Sequence, residues 1–396
     1  MSPATATERL VEAIKTVVGP ELRPANLHEP ELTGREVEYT AQCIQDGWVS
    51  SVGPLIPEFE EKLAARCDSR AAIAVVNGTA ALHLALHANG VGPGDEVLLP
   101  ALTFVGTANA VSYCGATTHF VDCETESLGV DADRLEEHLA RVARVENRSC
   151  RNRETGKRIA ALIVVDVFGH PANLDALAAL AERWQLPVVE DAAAALGSTY
   201  RGRPVGGHVG IAALSFNGNK IITTGGGGAV LLDDPERAEE IRHVATTAKR
   251  PHAWRFDHDR VGFNYRMPNL NAALGIAQLE RLDDFIKRKR LLGDAYAAAL
   301  VGVESVHFFR EAAWARSNYW LHTMILEDGF PDSLDTVLGA LHAVGIHARP
   351  AWTPLHRLPM YASSPRADLT RTETLTGRIV NLPSSPALAN QLHGAS

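Results

Sequence analysis

No stretch of about 18 uninterrupted apolar residues occurs in the chain, so no segment reads as a membrane span. The opening residues, MSPATATERLVEAI, also lack an apolar signal core, and the expectation is a soluble protein of the cytoplasm, without a membrane partner. Cysteine is sparse. Cys43, Cys67, Cys114, Cys123 and Cys150 are odd in number, scattered, and form no CxxC pair, which argues against a disulfide framework or a zinc site and for reduced thiols. An excess of basic residues is missing too: 38 Lys and Arg stand against 47 Asp and Glu, a net charge of −9 with no footprint for nucleic acid. The histidines His252, His258 and His322 have no metal-ligand spacing such as HExxH, so no metal is expected. Two glycine fingerprints are absent as well. GxxxxGK[ST] fails because Lys220 stands between Asn219 and Ile221, and no GxGxxG follows the first strand-like run. ATP and nicotinamide dinucleotides are thereby disfavoured.

What is present is ample material for a core. Of 396 residues, 46% are apolar and 21% charged, and the length suggests two or three domains. Residues 1–30 read as an amphipathic helix followed by a Pro-rich arm, GPELRPANLHEP. Residues 31–70 read as helical around a loop, GWVSSVGP. Strand-like runs then alternate with helical patterns: AAIAVV, DEVLLP, TTHFVD, IAALIVVD, LPVVED, IAALSF and GGAVLLDD, with RNRETGKR read as a charged loop between two of them. Such alternation predicts an α/β domain with a largely parallel sheet flanked by helices on both faces. Near residue 285 the pattern changes to a long charged helix and a smaller α+β piece. The expected division is an arm over 1–30, a large domain over 31–285 and a small domain over 286–396.

In such sheets ligands collect beyond the carboxyl ends of the strands, so the residues just after each apolar run carry the argument. After AAIAVV comes Asn77-Gly78-Thr79, opening a helix: free N–H groups, a glycine for close approach and a hydroxyl make an anion site, or an ordinary helix cap. After LPVV come Glu190 and Asp191, carboxylates that are costly at a buried strand end unless paired, or else another cap. After IAAL come Ser215 and then Lys220, which alone would be a surface lysine. Together these pieces meet the needs of pyridoxal phosphate: Gly78, Thr79 and Ser215 for its phosphate, Asp191 for its pyridine nitrogen, and Lys220 for the Schiff base.

At these residues the sequence resembles the DegT/DnrJ/EryC1/StrS sugar aminotransferases. GWVSSVGP, NGTAALHLAL, ALTFVGTANAV, VVEDAAAALGS, SFNGNKIITTGGGGAV and GFNYRMPNLNAALG follow in the family's order over nearly the whole chain. The resemblance implies fold type I of the pyridoxal-phosphate enzymes, the aspartate aminotransferase type, and it is nearest to the subgroup that aminates C4 of nucleotide-linked 4-keto-6-deoxy sugars, as in perosamine or legionaminic acid synthesis. It implies that Phe104 lies against the cofactor ring and that Asn264 reaches the phosphate of a neighbouring subunit, making the active unit a homodimer. L-glutamate is the implied amino donor. One departure from the resemblance stands out: many relatives carry Gln or His three residues after the aspartate, and here that place is Ala194.

A substrate with a diphosphate calls for cationic and aromatic groups around the pocket. The candidates are Trp48, Ser50, Arg266, Arg349, Trp352 and His356, each of which also has an ordinary reading as core or surface. Competing functions are a fold-type-I enzyme acting on amino acids, a nucleotide-binding dehydrogenase or ATPase, and a non-catalytic sugar-nucleotide-binding relative.

Overall fold

Thr5 sets where the first helix begins. Its hydroxyl accepts from the Glu8 N–H at 3.1 Å while its own N–H donates to the Glu8 carboxylate at 2.7 Å, a reciprocal cap that opens α1 (Ala6–Val18). The structure, a computed structural model, describes residues 4–19 and 24–394. Of the expected N-terminal arm, residues 1–3 and Pro20 to Arg23 of the Pro-rich stretch therefore lie outside the described residues.

Helices α2 (Glu36–Gln45) and α3 (Leu55–Arg66) flank the loop that carries Trp48 and Ser50. The alternation follows: β1 (Ala71–Val75), α4 (Gly78–Ala88), β2 (Glu96–Pro100), α5 (Val105–Tyr113), β3 (Thr117–Val121) and α6 (Ala132–Val142). Next come the hairpin β4 (Ala143–Glu146) and β5 (Ser149–Asn152), then β6 (Arg158–Val165), α7 (Leu174–Arg183) and β7 (Val188–Asp191). A small ribbon, β8 (Thr199–Tyr200) and β9 (Arg203–Pro204), precedes β10 (Ile211–Ser215) and β11 (Gly228–Leu232). After it stand α8 (Pro235–Ala245), α9 (Asn269–Leu279) and α10 (Leu282–Leu300).

The main sheet runs β1-β11-β10-β7-β6-β2-β3. From β3 to β10 every neighbour is parallel, whereas β11 is antiparallel to both β10 and β1. The two reversals cancel, so β1 ends at the same edge as β7 and β10, and that is what gathers the site. The strands are buried on both faces, which is why they read as unbroken apolar runs. The expected loop RNRETGKR is corrected in part: its first two residues belong to β5, which pairs with β4 and β6.

The rest of the chain adds β12 (Val306–Phe308), β13 (Ala315–Arg316), β14 (His322–Leu326), α11 (Leu334–Ala343), β15 (Arg349–Pro350), α12 (Thr370–Thr376) and β16 (Ile379–Leu382). Strands β12-β14-β16-β15 form an antiparallel sheet whose apolar side packs with α1, α10 and α11 around Leu10, Ile14, Tyr296 and Leu341. Strand β13 pairs with β8, making a separate three-stranded sheet with β9. Among the described residues, no helix is long and apolar enough to cross a membrane.

Candidate active site

The carboxyl ends of β1, β7 and β10 open onto one cavity of about 350 Å³, lined among others by Gly78, Thr79, Asp191, Ser215 and Lys220. Lys220 lies in the turn after β10. Its N–H donates to the Asn217 carbonyl at 2.9 Å, and the Trp320 indole N–H donates to the Asn219 carbonyl at 2.6 Å. The turn is thus held from both sides, and the Lys220 Nζ rests 3.7 Å from the centre of the Trp320 ring. Burial lowers the ammonium pKa to about 8, with the Asp191 charge opposing that shift.

Asp191 closes β7 and is almost fully buried. One carboxylate oxygen accepts from the Thr107 hydroxyl at 2.7 Å and the other from the Ala193 N–H at 3.2 Å. Thr107 is itself 3.0 Å from the Thr103 hydroxyl. Burial raises the Asp191 pKa; the Thr107 bond and the Lys220 charge hold it down. Amine and acid are therefore close enough to shift one another while both face the same cavity.

At the third strand end, the Asn77 side chain caps α4 by accepting from Ala80 N–H at 2.8 Å. The first-turn N–H groups of Gly78 and Thr79 have no acceptor within the helix and point positive charge outward. A Cβ on Gly78 would lie 2.8 Å from the Ser215 Cβ, so only glycine lets β10 end against this helix start. A Cβ on Gly106 would likewise come within 2.8 Å of the Thr79 hydroxyl oxygen. The result is a cradle of amides and hydroxyls for an anion.

The other expected residues divide. Phe104 lines the cavity, 56% exposed, at the start of α5, and Trp352 lines it with its ring 4.8 Å from that of Phe168. Ala194 also faces it, presenting a methyl where relatives place an amide or imidazole. Trp48 and Ser50 lie outside this chain's cavity, and their carbonyls accept from the side-chain amide and the backbone N–H of Asn269 at 2.9 and 2.6 Å. Asn264 is exposed, bridged to Thr246, and Arg349 is exposed in β15 opposite Asn381.

Two of the expected substrate residues have partners inside the fold. Arg266 bonds the buried Glu60 carboxylate at 2.5 Å, beside Arg242 at 2.6 Å, so its charge is already used inside the fold. His356 is buried with its Nε2 2.5 Å from Glu373, away from the cavity, because its ring turns to that carboxylate. Thr107, Asp166, Phe168 and Trp320 line the cavity without having been singled out from the sequence. Thr107 could have been found from its place in TFVGT; nothing near Trp320 in the chain signals its contact with Lys220.

A predominantly parallel sheet, an amine and an acid facing one cavity, and an anion cradle at a third strand end define a pyridoxal-phosphate-dependent enzyme. The residues present fit that cofactor: a buried acid for the ring nitrogen, a lysine of lowered pKa, and a cradle that a Cβ at Gly78 would fill. The chain belongs to the DegT/DnrJ/EryC1/StrS aminotransferase family, whose sequence model matches residues 30–392. It is 38% identical over 360 residues to the GDP-perosamine synthase of Caulobacter vibrioides, covering 91% of this chain and 92% of that one. To the GDP-perosamine synthase of Escherichia coli O157:H7 it is 36% identical over 365 residues, 92% and 94% of the two chains. Among solved structures, DesV of S. venezuelae superposes with a TM-score of 0.79 at 30% identity, over 91% of this chain and 95% of that one. The aminotransferase TlmJ of Streptoalloteichus hindustanus does so with 0.82 at 28%, over 93% and 97%.

Proposed function

We propose that the protein transfers an amino group from L-glutamate to C4 of a nucleotide-linked 4-keto-6-deoxy sugar, in the synthesis of a surface polysaccharide or amino sugar. The observation that carries this reading is the convergence of Lys220 and Asp191 on one cavity; the likeness to GDP-perosamine synthases supports the sugar substrate.

When bound, pyridoxal phosphate supplies a carbon that condenses with amines and a ring that takes up the electron pair left by a broken C–H bond. The chain's own residues do the rest. Gly78, Thr79 and Ser215 would hold the phosphate, and Phe104 would lie against the ring. Asp191, oriented by the Thr107 hydroxyl, would hold the ring nitrogen and favour its protonated form. The Lys220 Nζ, its pKa lowered to about 8 by burial, would be the amine that bonds the cofactor and, when free, the base and acid that moves the donor's proton. Trp320 limits where that amine can swing. The same groups, run in the opposite direction, place nitrogen on the sugar.

The active unit is a homodimer in this reading. Trp48, Val49 and Val52 in one loop and Trp254, Phe256 and Val261 in another leave large apolar side chains in solvent, a surface that a second copy would cover. Asn264 would then reach the partner's cavity.

The test begins with colour. The protein with pyridoxal phosphate should be yellow, borohydride should fix the cofactor covalently, and Lys220→Ala should abolish fixation and lower kcat by about a thousandfold or more. A panel of nucleotide keto-sugars, scored by which one bleaches the aminated form, identifies the acceptor. Wild-type protein that borohydride fails to label would overturn the assignment.

A further inference from the structure

Next to Asp191 lie two carboxyl groups that the reaction above does not use, Glu190 within β7 and Asp166 at the cavity wall just past β6. Strands β6 and β7 pair Val164 with Glu190 and Val165 with Asp191, so the Glu190 side chain points away from that of Asp191. Asp166, one residue past β6, falls on the same face as Glu190. Both are completely buried.

Each has one oxygen satisfied and one not. Asp166 accepts from the Ala172 N–H at 3.0 Å and Glu190 from the Gly206 N–H at 3.2 Å. The remaining oxygens, Asp166 Oδ2 and Glu190 Oε2, are buried with no other donor among the described residues. No lysine or arginine among those residues pairs with either. Two fully buried carboxyl groups on neighbouring strands, each with an unpartnered oxygen and neither with a cation, cannot both stay ionised without a large cost.

We infer that Asp166 and Glu190 share one proton between those two oxygens and, as a pair of single negative charge, act as positioning residues for Asp191. This rests on the assignment of Asp191 to the cofactor ring.

The mechanical link is short. The Asp166 N–H donates to the Asp191 carbonyl at 3.2 Å, and the Asp166 carboxyl closes the loop 166–172 that carries Phe168 into the cavity. Glu190, through Gly206, fixes the far side of the same strand. Burial raises both carboxyl pKa values, with the Glu190 charge adding to the rise at Asp166 and that of Asp191 at both. The other titratable groups that bear on the pair are Asp191 itself and Cys67, whose thiol burial pushes up to about 12 with a contribution from Glu190.

The sign follows from linkage. Acids whose folded-state pKa is raised contribute stability below the ordinary carboxylate range and lose it as pH rises through the folded value. Cofactor-free protein should therefore show the infrared C=O stretch of a protonated carboxyl group at pH 7. Its melting temperature should fall between pH 6 and pH 9. Glu190→Gln and Asp166→Asn should each remove that band and flatten the melting profile, because an amide N–H replaces the shared proton and leaves the remaining acid ionised. Glu190→Leu should weaken pyridoxal phosphate binding by about tenfold or more, and Glu190→Gln should restore it to within about threefold. Absence of the band in wild-type protein at pH 7, or its persistence in both amide variants, would overturn the proposal. The band and the melts are read without cofactor, so their outcome is independent of whether Lys220 carries out transamination.

Discussion

Asp191 and Lys220 are held by neighbours that the sequence hides. Thr107 donates a hydrogen bond that opposes the upward push of burial on the Asp191 pKa. Thr107→Val keeps the shape and removes the donor, so the Asp191 pKa should rise and the dissociation constant of pyridoxal phosphate should increase by about ten- to a hundredfold, as measured by absorbance titration. Lys220 and Asp191 were legible because each follows a buried strand at a fixed offset, where the topology allows few destinations. The intramolecular partners of Arg266 and His356 were not legible, for the complementary reason. A sequence displays a charge or an imidazole but not its partner. Glu60 lies 206 residues from Arg266, and Glu373, although only 17 from His356, is reached across two turns of 3-10 helix and a loop. Trp320 was invisible for the same cause, since its contact with Lys220 spans about a quarter of the protein.

Among the elements, the strands of the main sheet were readable from their apolar runs, because burial on both faces leaves little room for polar side chains. An apolar run has no direction, however, and the reversal at β11 was not legible. That reversal brings Gly228 against the turn after β1, where a Cβ would lie 2.5 Å from the Asn77 carbonyl carbon. Gly228→Ala must displace backbone rather than a side-chain tip. It should destabilise the protein by roughly 1–3 kcal/mol in urea unfolding and weaken the adjacent anion cradle. The hairpin β4–β5 escaped notice because its exposed charged residues, among them Arg144 and Glu146, carry no apolar alternation.

For the whole molecule, the exposed apolar loops lead to a prediction about assembly. Trp254 and Phe256 are 80% and 79% exposed in the single chain. If a second copy covers them, sedimentation at micromolar concentration should give a dimer, and Trp254→Asp combined with Phe256→Asp should shift it towards monomer with loss of transamination; a wild-type monomer that retains full activity would refute the shared site. The sheet order has a different consequence, for biosynthesis. Ala71 finds its ladder partner only in Leu232, and the other edge of β11 is taken by β10. A ribosome moving at about 5–20 residues per second exposes β1 on the order of ten seconds before that partner emerges. The nascent chain must therefore carry an apolar strand with open edges past the exit tunnel, and chaperone occupancy should peak before Gly228 is made.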